Sequence, residues 1–411
     1  MSDDLNQEEK MPMPLEGVRV VEYAVYHAGP GAGAILGDLG AEVIKIEEGR
    51  GDPERLWLDV GGIDLRAPDG QSIWYHLSNR NKKGICLNIE TDMGREIFLR
   101  LIRSADVFLT NLRKSTKKKL RIDYEALSEI NPRLVHANVS GFGPKGPLSD
   151  NGAFDPLGQG RSGMMFSTGN KEPALINVGV LDQATAIAAS HAIVSALFFR
   201  ERTGIGQEVH VSLYGTGMWL LYGNMIMNAG LGVDPNISWD RSKNSPLRNW
   251  FCCKDDKWII GTHHPEERYW PDFCTATGKT ELLDDPRFAD KNERRKHCAE
   301  LVEIFDEVFV GKTREEWIDI LTSRGLMFGP VQRIQEVFED PQSLANNYVT
   351  DFVHPEFGSM RIPGYPIHFS SARAETHMPA PTLGEHTDSI MRQLGFTDEE
   401  IQELRDKETI K

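Results

Sequence analysis

Apolar runs of strand length alternate along this chain with longer stretches of helical spacing. Residues 18–25 (VRVVEYAV) read as a buried strand. A glycine-rich turn, 27–33 (HAGPGAG), follows it, then a short helix over 34–39 and a second strand over 42–47 (EVIKIE). Strand, helix and strand in this order mark a parallel sheet with helices on its faces. The pattern repeats: strands near Ile85 (ICLNI) and Val107 (DVFLT) flank a helix over 94–102, and another strand lies within RLVHANVSGFG from Arg133. A long amphipathic helix is predicted over 182–202, stopping at Thr203-Gly204. A strand from Glu208 (EVHVSL) and an apolar helix over 217–228 close this half.

After Gly230 the composition turns polar, and DPNISWDRSKNSPLRNW reads as a linker into a second, smaller domain. That domain holds a strand at Trp258 (WIIGTHH) and helices from Glu266 and Arg294, and ends near Gly329-Pro330. From Val331 onward come a helix, extended stretches around Phe352 and Met360, and a last helix with Thr397 and Glu400 as a capping box. The length of 411 residues fits two domains, and 40% hydrophobic with 26% charged residues is a globular balance. The net charge of -15 repels nucleic acid and anionic membrane. No apolar run reaches membrane-spanning length, and the N-terminal stretch has no signal-peptide pattern. The 5 cysteines are scattered without a CxxC pair, which suggests neither zinc nor a disulfide framework and predicts a reduced, cytoplasmic compartment.

Several segments invite a chemical reading. Gly31-Ala32-Gly33 after a strand, with Glu47 ending the next strand, mimics a dinucleotide-binding fingerprint. Leu36 stands where the third small residue belongs and Pro30 sits inside the turn, so a tight strand-to-helix turn explains the glycines equally. The basic run Arg113, Lys114, Lys117, Lys118, Lys119, Arg121 is either a solvated helix face or a socket for nucleotide phosphates. It lacks the aromatic interleaving of a nucleic-acid site. His263 and His264 near Glu266 and Glu267 do not predict a metal, because adjacent strand side chains face opposite ways. Asp182 follows the apolar INVGV and opens the long helix. It reads as an N-cap, or as a nucleophile held ionised by the helix dipole, and the two readings are compatible.

Taken together, the segments resemble the family III CoA-transferases, the group that includes formyl-CoA transferase and carnitine CoA-transferase. The likeness runs through PLEGVRVVE, HAGPGAGAILGDLGAEVIKIE, GDPER, NRNKKGICLNI, LTNLRKST, NPRLVHANVSGFGPKGP, FDPLGQGRSG, ERTGIGQEVHVSL, FGPV and LGEHTD, in order. The family's nucleophile is an aspartate at the start of a helix closed by R-x-T-G-x-G-Q. Arg202, Thr203, Gly204, Gly206 and Gln207 match that close, which implies Asp182 as the nucleophile. Ala186 replaces a glycine that many members carry four residues on. The resemblance further implies CoA contacts at His27, Ala28, Leu87, Asn111 and Leu112. Lys119 stands where relatives usually have arginine near the phosphates, and Asp155 matches an acidic residue beside the active centre. The family's first CoA-side arginine is replaced by Glu48 or shifted to Arg50.

For the fold, the resemblance implies an α/β chain with a Rossmann-like large domain built on a parallel sheet (1–229 and 331–411). A smaller α+β domain (230–330 with linkers) would join it in an interlocked dimer, as homodimer or with a related chain. For the chemistry, it implies CoA transfer from an acyl-CoA to a carboxylic acid through aspartyl anhydride and aspartyl-CoA thioester intermediates. Backbone N–H groups at the helix start would hold the oxyanions. CoA thioester is then the substrate, with no tightly bound cofactor and no metal. The alternatives are a noncatalytic partner subunit and an NAD-binding dehydrogenase. Trp250, Phe251, Trp258, Tyr269, Trp270 and Phe273 suggest an aromatic or bulky acceptor such as an arylsuccinate, with succinyl-CoA as donor.

Overall fold

The computed structural model describes residues 11–177, 179–233 and 240–411. The chain divides into two compact units, one of residues up to Phe166, Glu172–Val233 and Asn347–Lys411, the other of Ser167–Lys171 and the segment ending at Asn346.

The first unit is built on strands β1 (Arg19–Tyr23), β2 (Glu42–Glu47), β3 (Lys82–Cys86), β4 (Val107–Thr110), β5 (Val135–Ser140) and β6 (Gln207–Ser212). They form one parallel sheet in the order β3-β2-β1-β4-β5-β6, the order of doubly wound dinucleotide folds. The central strands are buried on both faces and so read as near-continuous apolar runs, while edge strand β6 is only partly buried. Val20 belongs to one core with Leu36, Val43 and Ile193, while Val21 belongs to the other with Ile44, Phe98 and Phe108.

Helices α1 (Ala28–Asp38), α2 (Ile73–Asn79), α3 (Asp92–Arg103), α4 (Lys114–Leu120), α5 (Asp155–Ser162) and α6 (Val180–Thr203) connect these strands. Past β6 come α7 (Leu213–Leu220) and α8 (Tyr222–Leu231), two helices where the apolar pattern predicts one. The glycine-rich segment expected as a turn is helical from Ala28, and every residue of α1 is buried. Its glycines serve close approach: a Cβ at Gly31 would lie 3.1 Å from that of Ala186 on α6. Helix α6 is long and apolar enough to cross a membrane by length and composition alone. One side of it, with Leu181, Ala186, Ala189 and Ile193, belongs to the core of this unit.

In the second unit β7 (Trp250–Cys252), β8 (Trp258–Gly261) and β9 (Phe328–Val331) form an antiparallel sheet in the order β9-β8-β7. Helices α9 (Glu266–Thr277), α10 (Cys298–Phe309) and α11 (Arg314–Thr322) pack there around an aromatic core. This unit continues past Val331, the boundary drawn from sequence, to Asn346. The reason is ionic: Arg314 pairs with Glu336 at 2.7 Å and so holds the short helix Ile334–Val337. Of the predicted polar linker, residues 234–239 lie outside the described residues. The chain then returns to the first unit with a hairpin, β10 (Val349–His354) and β11 (Gly358–Pro363), and helices α12 (Thr387–Gln393) and α13 (Asp398–Asp406). Thr397 and Glu400 form the expected capping box.

Candidate active site

The strand order reverses between β1 and β4. At such a point the loops beyond the carboxyl ends of the strands part and leave a crevice where α/β proteins bind ligands. Here Asn111, just after β4, ties the two loops together. Its Nδ2 donates to the carbonyl of Val25 at 2.6 Å, and its Oδ1 accepts the Val25 N–H at 2.9 Å. Tyr26 is left-handed, with φ of 60°, a conformation costly for a non-glycine residue. Its N–H is held by Asp52 Oδ1 at 3.0 Å.

Beneath this loop lies a buried ionic cluster. Lys45 donates to Glu22 (3.2 Å), to the carbonyl of Ala24 (2.9 Å) and to Asp52 (2.9 Å). Lys82 donates to Glu22 (2.9 Å), to the carbonyl of Pro30 (2.7 Å) and to Asn79 (3.0 Å). Burial opposes the charge on both lysines. On Lys45, Asp52 and Glu22 outweigh it and raise the pKa; on Lys82 burial prevails and lowers it to about 8. No motif in the sequence marks this cluster; its one signal there is a lysine inside each of the apolar strands EVIKIE and KKGIC.

The clustered groups hold α1 and α2, and with them His27. Its ring is buried between Ser78 Oγ, 2.6 Å from Nδ1, and Gln183 Oε1, 2.9 Å from Nε2. Burial lowers its pKa to about 4, so the imidazole is neutral at physiological pH. Ser78 and Gln183 carry no sequence motif that would single them out.

Gln183 and Asp182 belong to the first turn of α6. The helix is not capped by Asp182. Gly179 is the cap, with φ of 85°, and a Cβ there would come within 2.5 Å of the Trp74 ring. The capping oxygen comes from α5. Asp155 Oδ2 accepts the N–H groups of Leu181 (2.7 Å) and Asp182 (3.1 Å), while its Oδ1 accepts from Gln159 (2.6 Å). Two N–H groups expected to stabilise oxyanions are thereby engaged. The half-buried Asp182 carboxyl is pushed up to about 7, first by burial and then by the charge of Asp155. This overturns the expectation that the helix dipole holds it ionised: desolvation and a neighbouring carboxylate outweigh the dipole.

Aromatic rings stand around the start of α6. Trp74 packs edge-on to His27 at 5.6 Å and beside Trp57 at 5.8 Å. Tyr26 packs edge-on to Phe154, which is 53% exposed and precedes Asp155.

The other expected residues follow strand ends on the same sheet edge. Ala28 opens α1. Leu87 is fully buried after β3, bridged to Ile410, and Leu112 packs partly buried on the same core. Lys119 is exposed on α4 and pairs with Glu90 at 2.8 Å. Asp155, expected near ligand, is 1% exposed and spends both oxygens on protein N–H groups. The extra methyl of Ala186 is buried in the space that Gly31 leaves open. In the second unit His263 uses both ring nitrogens on backbone, Nδ1 with Leu247 O and Nε2 with Met327 N. The aromatic-rich segment is mostly structural there: Phe251, Trp270 and Phe273 are core residues.

Comparison with known proteins gives a consistent result. The chain is similar to (R)-2-hydroxy-4-methylpentanoate CoA-transferase of Clostridioides difficile, 32% identical over 403 residues, 97% of this chain and 100% of the relative. It is similar to human succinyl-CoA:glutarate CoA-transferase, 31% identical over 95% of this chain and 88% of the relative. The fold is similar to the crystal structure of a CAIB/BAIF family protein from Brucella suis, with a TM-score of 0.82 and 31% identity, covering 93% of this chain and 100% of that one. The family model of CoA-transferase family III matches residues 15–387, so the match spans the parallel sheet, α6 and the first part of the return segment, and the chain belongs to that family.

Proposed function

We propose that this enzyme moves CoA from an acyl-CoA to a carboxylic acid with Asp182 as its nucleophile. The observation that carries the reading is a carboxyl group, tuned to about 7, in the first turn of α6 beside the sheet's switch point. A carboxylate with so high a pKa is a stronger nucleophile than an ordinary aspartate and is still substantially ionised near neutrality.

The steps balance without ATP or metal. A carboxylate oxygen of Asp182 attacks the thioester carbon of the donor. The C–S bond breaks, CoA leaves as thiolate, and a mixed anhydride remains on Asp182. The thiolate attacks the aspartyl carbonyl, expelling the donor acid as carboxylate and leaving aspartyl-CoA thioester. The acceptor carboxylate attacks that carbonyl and expels thiolate again. The thiolate then attacks the acceptor's carbonyl, which gives the new acyl-CoA and restores Asp182. Each intermediate is open to hydrolysis, so the site must exclude water; the rings of Trp57, Trp74, Tyr26 and Phe154 suit that task.

Those rings also support an acceptor with an apolar body. The two relatives named above act on a branched hydroxy acid and on a dicarboxylate, so their names leave the choice open. Aromatic walls favour a branched or aromatic monocarboxylic acid over a dicarboxylate. CoA would lie along the strand ends at His27, Ala28, Leu87, Asn111 and Leu112, with Lys119 toward the phosphates. A second copy of the chain would cover the exposed apolar residues Ile187, Val194 and Phe198 of α6 and Trp219 and Ile226 beyond β6, giving the interlocked dimer.

The test is chemical. Asp182→Ala should lose transfer while retaining CoA binding. In the wild type, acyl-CoA followed by hydroxylamine should leave a hydroxamate on residue 182 by mass spectrometry. Full transfer by the variant would overturn the reading.

A further inference from the structure

Attack on a thioester puts negative charge on its carbonyl oxygen, and preorganised donors at that place are the largest single source of rate in acyl transfer. The first turn of α6 is short of them. Asp155 takes the N–H groups of Leu181 and Asp182, and the Gln183 N–H is bonded to Gly179 O at 2.9 Å. We infer that the Gln183 side-chain amide is the donor to the thioester carbonyl oxygen when Asp182 attacks, and that His27 is its positioning residue. The inference rests on the proposed role of Asp182.

The position of one proton decides which way the amide faces. Gln183 Oε1 is an acceptor only, and it faces His27 Nε2 at 2.9 Å. Nε2 therefore carries the hydrogen of the neutral ring, and Nδ1 accepts from the Ser78 hydroxyl at 2.6 Å. The ring cannot turn freely, because Trp74 stands edge-on against it and Gly31 lies beside Cε1 and Nε2. With Oε1 fixed, the amide NH2 faces away from His27. No hydrogen bond to that nitrogen occurs among the described residues. A half-buried donor, next in sequence to the nucleophile and held by a buried ring, is thus left for a ligand. Its neutrality matters: a lysine there would pair with the Asp182 carboxylate and blunt it, whereas an amide can meet the developing oxyanion without stabilising the resting charge as strongly.

Gln183→Glu keeps an oxygen for His27 and removes the donor. Gln183→Ala removes both and leaves a good helix former in place. Quenched single-turnover reactions with acyl-CoA would measure how fast the residue-182 adduct forms. Both variants should slow that step by roughly 100-fold or more, the usual loss for one oxyanion donor, with KM for acyl-CoA little changed. His27→Ala should slow adduct formation even at saturating acyl-CoA, beyond any rise in KM that loss of a CoA contact at His27 would bring, as expected if it also orients the amide. Adduct formation at the wild-type rate in both Gln183 variants would overturn the inference alone. A slow Gln183→Glu with a fast Gln183→Ala would overturn it too, since added negative charge would then be the cause. A wild type that forms no adduct on residue 182 would instead defeat the nucleophile reading, and this inference with it.

Discussion

The two units bury opposite things. Under the first-turn residues of α6 the interior is ionic: Glu22, Lys45, Lys82 and Asp52 are fully or almost fully buried and mutually bonded. In the second unit the interior is aromatic, with Phe273 between Phe305 and Phe328 at ring separations of 4.6 and 5.6 Å. An aromatic core stabilises without fixing the position of any one polar atom. A buried ion cluster gives little net stability, because desolvation cancels most of the attraction. It does specify geometry, since each charge must find its partner. Here the partners include the carbonyls of Ala24 and Pro30, which flank His27. The costly interior lies where the site needs atoms held in place.

The contrast can be broken from either side. Lys82→Met leaves Glu22 with Lys45 alone and frees the Pro30 carbonyl. It should cost about 3–5 kcal/mol, the usual loss when one partner of a buried pair is removed. Because α1 loosens with it, kcat should fall in the protein that remains folded. Phe273→Ala should cost a similar ~3–5 kcal/mol through cavity formation, yet leave the KM for CoA of the folded fraction unchanged. Denaturant unfolding together with kinetics at low temperature separates the two. A Lys82→Met enzyme with wild-type kcat would remove the link between the cluster and the site.

Acid sharpens the comparison on the proposed nucleophile. With its carboxyl pushed up to about 7, Asp182 is inert when protonated. On the acid side kcat/KM should therefore fall tenfold per pH unit below about 7. Stability should run the other way. The folded-state pKa lies above the ordinary 3.8, so the contribution is fully present below that value and is lost as pH rises through about 7. Asp182→Asn, which never ionises, should melt higher than wild type at pH 8 and alike at pH 4. Equal melting at both pH values would mean that the carboxyl is not held in a hostile setting.

How much of this was legible in the sequence depended on the period of the signal. The parallel strands and α6 were plain, because buried strands are continuous apolar runs and a Gly ends the helix. The segment 27–33 misled, because glycines that break an isolated helix are tolerated when close packing against Ala186 and the strands needs them. Asp182 is singled out by the order of motifs, not by its own chemistry. Its true surroundings were hidden, since Asp155 reaches it from another helix, 27 residues earlier in the chain. The aromatic stretch from Trp250 looked like a binding wall because composition cannot tell a core ring from a lining one. The rings that do stand by α6, Trp57, Trp74 and Phe154, are single residues scattered among polar neighbours.

The smallest effect expected is at Lys119. Its side chain is 74% exposed and its pKa is raised by a hydrogen bond and ion pair with Glu90. Exposed pairs of this kind are screened and entropically loose, so Lys119→Ala should not shift the melting temperature measurably. If Lys119 meets a CoA phosphate, the same change should raise KM for acyl-CoA a few-fold, with kcat untouched and with the difference shrinking in high salt. Lys119→Arg should recover or improve binding, because a guanidinium offers phosphate a two-pronged contact that an ammonium cannot. Should neither variant move KM at low salt, the basic run on α4 is a solvated face, and the phosphates are held elsewhere along the strand ends.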